Sequence, residues 1–503
     1  MLKHLSKNSY LLAVLGAILL RLAFPKFDFW ILAWCAFVPV FFGVENRRFL
    51  KLFSVSFLFG FLFFASTIFW LNNVTWAGMA ILSIYLGFFI VLFFFVYAFA
   101  ARYLNYWQRL TVFPAFWVGL EYLRGCFAIA FPWGLLGYSQ AFNLSAIQAA
   151  DIFGVFGVSF IVMFVNIFIF EVLRGYFEKK PLRRIEILVP ILIVVFWFSY
   201  GVFRIYEDPK KTAPLKVSVI QGNISQDIKW VFSLHEKIFE KYKILSEIVI
   251  LGDNPDLVVW PETSFPDYLE FGVNDSGLKD FAKASATYLL AGSIRLEDVN
   301  YFNSALFFSP EGQILGTYDK IHLVPFGEYI PARKSLPWIE RFLPIEDFTA
   351  GSEYKIFSVV NQDGQVLKFG VLMCFEDIFY NIATSFVQHG ADFLVNMTND
   401  AWFGDTSSPY QHMQASIFRA VENRVYCLRA ANAGISCFID DTGRVVSTVA
   451  DLNGKETFVT GSKTHFVYKT ARRSLYPFFK DYFIFLCVLY AILTIFYKWR
   501  RLR

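Results

Sequence analysis

Three short stretches of this chain end an apolar run on a residue that can do chemistry. Gly370–Asp377 reads GVLMCFED, so a β-branched, apolar run closes on Cys374 and passes through Phe375 to Glu376 and Asp377. Leu257–Pro266 reads LVVWPETSFP and carries Glu262, while Tyr318–Pro331 reads YDKIHLVPFGEYIP and carries Lys320 and Glu328. A cysteine where a buried strand turns meets backbone N–H groups that favour its thiolate, the form that attacks carbonyl carbons. A carboxylate shielded by a Trp-Pro pair suits a general base. A lysine in an apolar loop can stabilise a developing oxyanion. Taken singly, each residue has a plainer reading: a packing cysteine, a helix-capping or surface acid, a solvated loop lysine.

These residues need rigid elements behind them, and residues 213–470 supply the pattern. Charge returns there, apolar runs shorten to strand length, and turn pairs appear at Asn254-Pro255, Glu311-Gly312, Asp363-Gly364 and Thr442-Gly443. Strands are expected at 215–220, 256–260, 288–294, 304–308, 366–373, 392–396 and 436–439, and helices near 231–251, 276–286, 378–389 and 409–424. Near-continuous apolar strands alternating with helices predict sheets covered on both faces. About 250 residues is enough for one such domain with its own core.

The remainder of the chain has a different solvent. Of 503 residues 56% are hydrophobic and 20% aromatic, and only 17% are charged, against about 25% in ordinary globular proteins. Bilayer-length apolar runs lie near 9–25, 28–44, 51–71, 77–101, 112–129, 152–173, 186–204 and 482–498, which predicts about eight spans. Residues 1–212 then form a membrane domain with seven of them, and 471–503 add the last span and a tail. Basic residues gather in alternate loops: Lys3 and Lys7, Arg47 to Lys51, Arg102 and Arg109, Arg174 to Arg184, and Lys498 to Arg503. By the positive-inside rule these face the cytoplasm, as do both termini, and residues 213–470 face outward. The small net charge of +5 sits beside apolar runs, which indicates topology and excludes nucleic acid as a partner. Arg21 interrupts the first span and Pro25-Lys26 ends it, so it reads as a retained anchor. Glu121 and Arg124 lie three residues apart inside the fifth span, placed to pair with each other or to meet a lipid headgroup. The six cysteines are scattered without a CxxC pair, so no metal site is expected, and Cys427 and Cys437 read as small buried residues.

The words WPET, DKIHLVPFGEYIP and CFED, in that order, resemble the strand-end Glu, loop Lys and strand-end Cys of the nitrilase (carbon–nitrogen hydrolase) superfamily. Three more words, QGNISQDIKW from Gln221, NMTNDAWFGDTSSPYQ from Asn396 and the membrane segment FPWGLLGYSQ from Phe131, make the chain similar to its membrane-embedded branch, the apolipoprotein N-acyltransferases. The resemblance implies a polytopic α-helical membrane domain joined to an extracytoplasmic α-β-β-α sandwich, in a bacterial inner membrane. It implies Cys374 as nucleophile, Glu262 as general base and Lys320 as oxyanion stabiliser. Glu328 and Glu376 become accessory acids, and Trp230, Trp402 and Phe403 substrate-side aromatics. The family has Tyr directly after the nucleophile, and here Phe375 keeps the ring without the hydroxyl. The implied partners are a phospholipid acyl donor, a diacylglyceryl-modified apolipoprotein acceptor and membrane lipid, with no cofactor. No interface stripe stands out, so a monomer is expected. A membrane-anchored amidase acting on a small amide needs the same three residues, but only one or two spans.

Overall fold

The computed structural model describes residues 8–127, 129–270, 276–331, 333 and 347–501; Lys3, Lys7, Leu502 and Arg503 lie outside the described residues. The chain divides into two compact units, one formed by Met1–Glu207 with Ser474–Arg503 and the other by Asp208–Arg473.

The first unit is helical. Among the described residues, five helices are long and apolar enough to cross a membrane: Phe49–Thr67, Trp76–Ala100, Ala150–Phe177, Arg184–Tyr206 and Tyr482–Arg501. Ser9–Leu22 and Trp30–Val44 are shorter apolar segments, and Tyr106–Cys126 spans 21 residues but carries Arg109, Glu121 and Arg124. Without a hydrophobic drive between helices in lipid, small residues set their approach. A Cβ on Gly60 would lie 2.8 Å from Ile90 and 3.2 Å from the Cα of Gly87, so Phe49–Thr67 and Trp76–Ala100 meet there. Where the backbone breaks before Val38–Val44, Asn166 completes it: its side chain accepts from the Phe37 amide at 2.9 Å and donates to the Ala33 carbonyl at 2.8 Å. Glu121 and Arg124 make no direct ion-pair contact. Glu121 accepts from the Leu136 amide at 2.6 Å, and the Arg124 guanidinium lies over the Phe64 ring at 5.0 Å. The Leu136 amide in the turn after the helix is a nearer partner for the acid than a residue one turn further on.

The second unit holds two sheets. The first contains β1 (Lys211–Gln221), β2 (Leu257–Val259), β3 (Phe265–Leu269), β4 (Tyr288–Glu297), β5 (Asn300–Phe308), β6 (Ile314–Asp319) and β13 (Gly461–Thr470). Its order is β13-β1-β2-β4-β5-β6, with β3 also on β4. The second contains β7 (Ile356–Val360), β8 (Val366–Met373), β9 (Phe393–Thr398), β10 (Tyr426–Ala431), β11 (Cys437–Ile439) and β12 (Val445–Thr448), in the order β12-β11-β10-β9-β8-β7. Alternation along each strand makes two faces. Val258, Leu289, Ala291, Leu306 and Phe308 pack with Ile238, Tyr242 and Val249 of helix His235–Asp253 and with Leu278 and Phe281 of helix Ser276–Ser285. From the opposite face Phe307 meets Phe357 and Phe369 of the second sheet at 5.2 and 5.3 Å. Helices Tyr380–Gln388 and Ser408–Asn423 cover that sheet's outer face. The layers are therefore α-β-β-α.

Ligands of parallel sheets bind beyond the carboxyl ends of the strands. Here β1, β2 and β4 run parallel in one sheet, and β8, β9 and β10 in the other. Glu262 follows β2, Cys374 follows β8, and Asp400 follows β9.

Candidate active site

Each of these residues is held by the turn that ends its strand. Glu262 follows Trp260, which is fully buried, lies 5.2 Å from Tyr242 and 5.6 Å from Phe281 ring to ring, and donates its indole N–H to Ser246 at 2.8 Å. The turn lies tight against β4: a Cβ on Gly292 would come within 2.8 Å of the Glu262 Cα and 2.5 Å of the Pro261 oxygen, so only glycine fits. Lys320 is fixed through its backbone, which donates to Asn303 at 2.9 Å and accepts from Gly351 at 2.8 Å. Cys374 opens a single turn of helix with φ of +51°, the left-handed region a side chain rarely adopts. That conformation turns its side chain away from the strand. Asn396 holds the turn by donating to the Cys374 carbonyl at 2.9 Å.

Glu376 ties the cysteine turn to the lysine loop. One carboxylate oxygen accepts from the Ile321 and His322 amides at 2.7 and 3.0 Å, the other from the Met373 amide at 2.7 Å and the Tyr318 hydroxyl at 2.8 Å. Burial pushes its carboxyl up to about 7, against the pull of those donors and of Lys320. With four partners of its own, Glu376 acts on the geometry of its neighbours.

The charged groups then converge. The Lys320 ammonium lies 2.9 Å from Glu328 and 3.9 Å from Glu262. Asn303 joins the two acids, donating to Glu262 at 2.8 Å and to Glu328 at 2.9 Å. The Val324 amide fixes the other oxygen of Glu328 at 2.7 Å. Burial works against the charge of Lys320, yet Glu328, Glu262 and Cys374 outweigh it and hold the lysine protonated above its ordinary value. His322 beside it is pushed down to about 4 by burial and then by Lys320.

Cys374 differs from the expectation drawn from its strand-end position. It is partly accessible, but burial and then Glu262 push its thiol well above the ordinary value, and Lys320 and a 3.4 Å bond from Thr398 only partly offset this. This strand-end turn therefore does not favour the thiolate: burial and the Glu262 carboxylate outweigh it.

Around this cluster, Trp230 and Trp402 are 44% and 50% exposed, whereas Phe403 is 8% exposed and lies behind the site. Phe375 stacks on Phe403 at 5.5 Å and meets the edge of His412 at 5.0 Å. Beneath them is a second buried cluster. His412 bridges Asp377 at 2.8 Å and Asp400 at 2.9 Å, and Arg429 lies 2.9 Å from Asp377. Burial opposes the imidazolium, but the two aspartates raise it to about 9.

The comparisons with known proteins agree with this architecture. Residues 16–168 match the model of the apolipoprotein N-acyltransferase N-terminal domain, and residues 216–465 match carbon-nitrogen hydrolase. Along 98% of its length the chain is 36% identical to the apolipoprotein N-acyltransferase of Geobacter metallireducens, of which it covers 96%. The chain belongs to the apolipoprotein N-acyltransferase family. The corresponding protein of Chlorobaculum tepidum is 28% identical, over 88% of this chain and 89% of that one. Among solved structures, Nit3 of Saccharomyces cerevisiae, a nitrilase-superfamily member, is similar over 54% of this chain and 95% of its own, with 17% identity and a TM-score of 0.39. Within the family's carbon-nitrogen hydrolase domain, sequence reasoning missed Asn303, Thr398, His412, Arg429 and Lys229. Asn303 lies in no motif, and Lys229 stands beside the more conspicuous Trp230.

Proposed function

We propose that this chain transfers an acyl chain from a phospholipid, through a thioester on Cys374, to the α-amino group of an N-terminal diacylglyceryl-cysteine on an apolipoprotein. The observation that carries the mechanism is the pairing of Glu262 and Lys320, 3.9 Å apart, beside a cysteine whose thiol is pushed up by burial and by Glu262. As Sγ attacks the ester carbonyl, its proton passes to the Glu262 carboxylate and a C–S bond forms. Lys320 offsets the oxyanion. Collapse breaks the ester C–O bond, the leaving alkoxide takes the proton from Glu262, and lysophospholipid departs. In the second half the acceptor amine loses a proton to Glu262 and attacks the thioester. The amide C–N bond forms, the C–S bond breaks, and the proton returns to sulfur. Glu328 and Asn303 keep Lys320 and Glu262 in register, and the exposed Trp230 and Trp402 offer apolar surface to acyl chains.

Both substrates are held by a bilayer, which supports a multi-pass enzyme rather than a tethered one. The reading is an eight-span protein in a bacterial inner membrane with residues 213–470 on the extracytoplasmic side and both termini in the cytoplasm, supported by the alternation of basic loops. A reporter fused after Asp208 should read as extracytoplasmic; a cytoplasmic signal overturns that orientation.

Intact mass spectrometry tests the chemistry. Phospholipid alone should leave one acyl group on Cys374 and release lysophospholipid. A diacylglyceryl-cysteine peptide should then remove it, and a peptide with a blocked amine should not. Transfer without an adduct, seen only when both substrates are present, would show a direct reaction instead.

A further inference from the structure

One buried charge in the site has no part in that scheme. Lys229 ends the short helix Gln226–Lys229 and is 1% exposed. Its ammonium donates to the backbone carbonyl oxygen of Glu262 at 3.2 Å. A buried lysine is costly, and a neutral donor could make that bond more cheaply. Its charge is felt by two groups, Glu262 and Cys374, which support its proton against burial; burial still lowers it to about 8, so it is charged at pH 7. The positions of the other charges give it a purpose. Lys320 is 2.9 Å from Glu328 but 3.9 Å from Glu262, so the first lysine belongs mainly to Glu328. With Lys229, two ammonium groups face the pair of carboxylates that Asn303 joins, Glu262 and Glu328.

We propose that Lys229 is a positioning residue and the second cation of the acyl-transfer site: it holds Glu262 by its carbonyl oxygen and stabilises negative charge as that charge passes from Glu262 to Cys374. This rests on the roles given above to Glu262 and Cys374. Proton transfer from the thiol to Glu262 leaves net charge unchanged but moves the negative end. Lys229 interacts with both ends, so it is compensated before and after the transfer; Lys320 also interacts with both but divides its charge with Glu328 at 2.9 Å. The charged groups bearing on the sulfur are then Glu262 after β2, Lys320 after β6, Asp400 after β9, and Lys229.

The test reads the thiolate directly. The full chain in phospholipid nanodiscs is treated with iodoacetamide, and alkylation of Cys374 is followed by peptide mass spectrometry, apart from the other cysteines. At pH 7, Lys229→Met should slow alkylation about tenfold, the effect of losing a neighbouring opposite charge, while Lys229→Arg stays close to wild type. A merely structural role gives the opposite sign, because a loosened site admits water, favours the thiolate and speeds alkylation. The wild-type profile is a second measurement that needs no variant. Its logarithm should climb with pH and flatten near 8 as Lys229 discharges, and in Lys229→Arg the flattening should vanish. Alkylation of Lys229→Met at or above the wild-type rate, or a straight wild-type profile through pH 8, overturns the proposal. Whether phospholipid acylates wild-type Cys374 is scored separately, so failure of the thioester scheme and failure of the Lys229 role are distinguishable.

Discussion

Two buried charge clusters flank Cys374, and they are built to different standards. The lower one, Asp377, Asp400, His412 and Arg429, is densely paired, although Asp400 Oδ2 makes no hydrogen bond and lies 3.6 Å from Arg429. Each aspartate has the imidazole of His412 within 2.9 Å, Asp377 also has Arg429 at 2.9 Å, and Ser416 closes it with a short bond to Asp377. The upper one is more sparsely paired. Glu262 has Asn303 at 2.8 Å and the longer contact to Lys320 on Oε1, and among the described residues nothing bonds its Oε2. A densely paired buried network fixes shape and opposes changes of protonation. A partly paired carboxylate can take up a proton and give it back. Thr398 stands at the seam, 3.4 Å from the Cys374 sulfur and 3.3 Å from Asp400.

The contrast is broken most sharply from the upper side. Cys374→Ala should abolish both the acyl adduct and transfer while leaving thermal unfolding unchanged; turnover in that variant would remove Cys374 from the chemistry. Glu262→Gln and Lys320→Met should each slow thioester formation by at least ~10²-fold, the usual size of base and oxyanion contributions, as measured by rapid-quench mass spectrometry. A wild-type rate in either one strips that residue of its role.

The lower cluster should respond in stability instead. Asp377→Ala leaves Arg429 and His412 facing each other without their shared anion, and should cost about 3–5 kcal/mol in denaturant unfolding. A smaller, pH-dependent effect isolates His412. Its folded value of about 9 lies above the ordinary 6.5, so the stability it contributes is fully present below pH 6.5 and is lost as pH rises through 9. Between pH 7 and 9 the wild-type unfolding midpoint should fall more steeply than that of His412→Gln. Equal slopes would mean that the imidazole is neutral between its aspartates.

The same contrast explains what the sequence made legible. Cys374, Glu262 and Lys320 stand at strand ends inside distinctive words, so the reactive cluster could be read. The lower cluster was spelled out in plain sight but disguised. Asp377 ends CFED, Asp400 lies within NMTNDAWF, and Arg429 interrupts YCLRAA, so that β10 does not read as an apolar strand. Its pairing with Asp377, across 52 positions of sequence, is visible only once β10 lies beside β9. Strands β1, β2, β4, β5, β8, β9 and β11 were foreseeable from apolar runs. The edge strands β7 and β13 were not, since β13 alternates polar residues along GSKTHFVYKT and has one face in water. Phe403 and Trp402 are adjacent and both aromatic, and only the fold separates the buried ring from the exposed one.

The left-handed backbone at Cys374 has a consequence for how this protein can be lost. At φ of +51° glycine is the comfortable occupant, and a side chain there costs about 1–3 kcal/mol. Loss of this cysteine can therefore run downhill in folding: Cys374→Gly should melt at a higher temperature than the unaltered chain. Quality control recognises unfolded chains, so it has no handle on such a copy. An inactive allele at this position would accumulate in the membrane beside the working one, with its lipid and peptide sites intact, and would compete for the substrates it cannot convert.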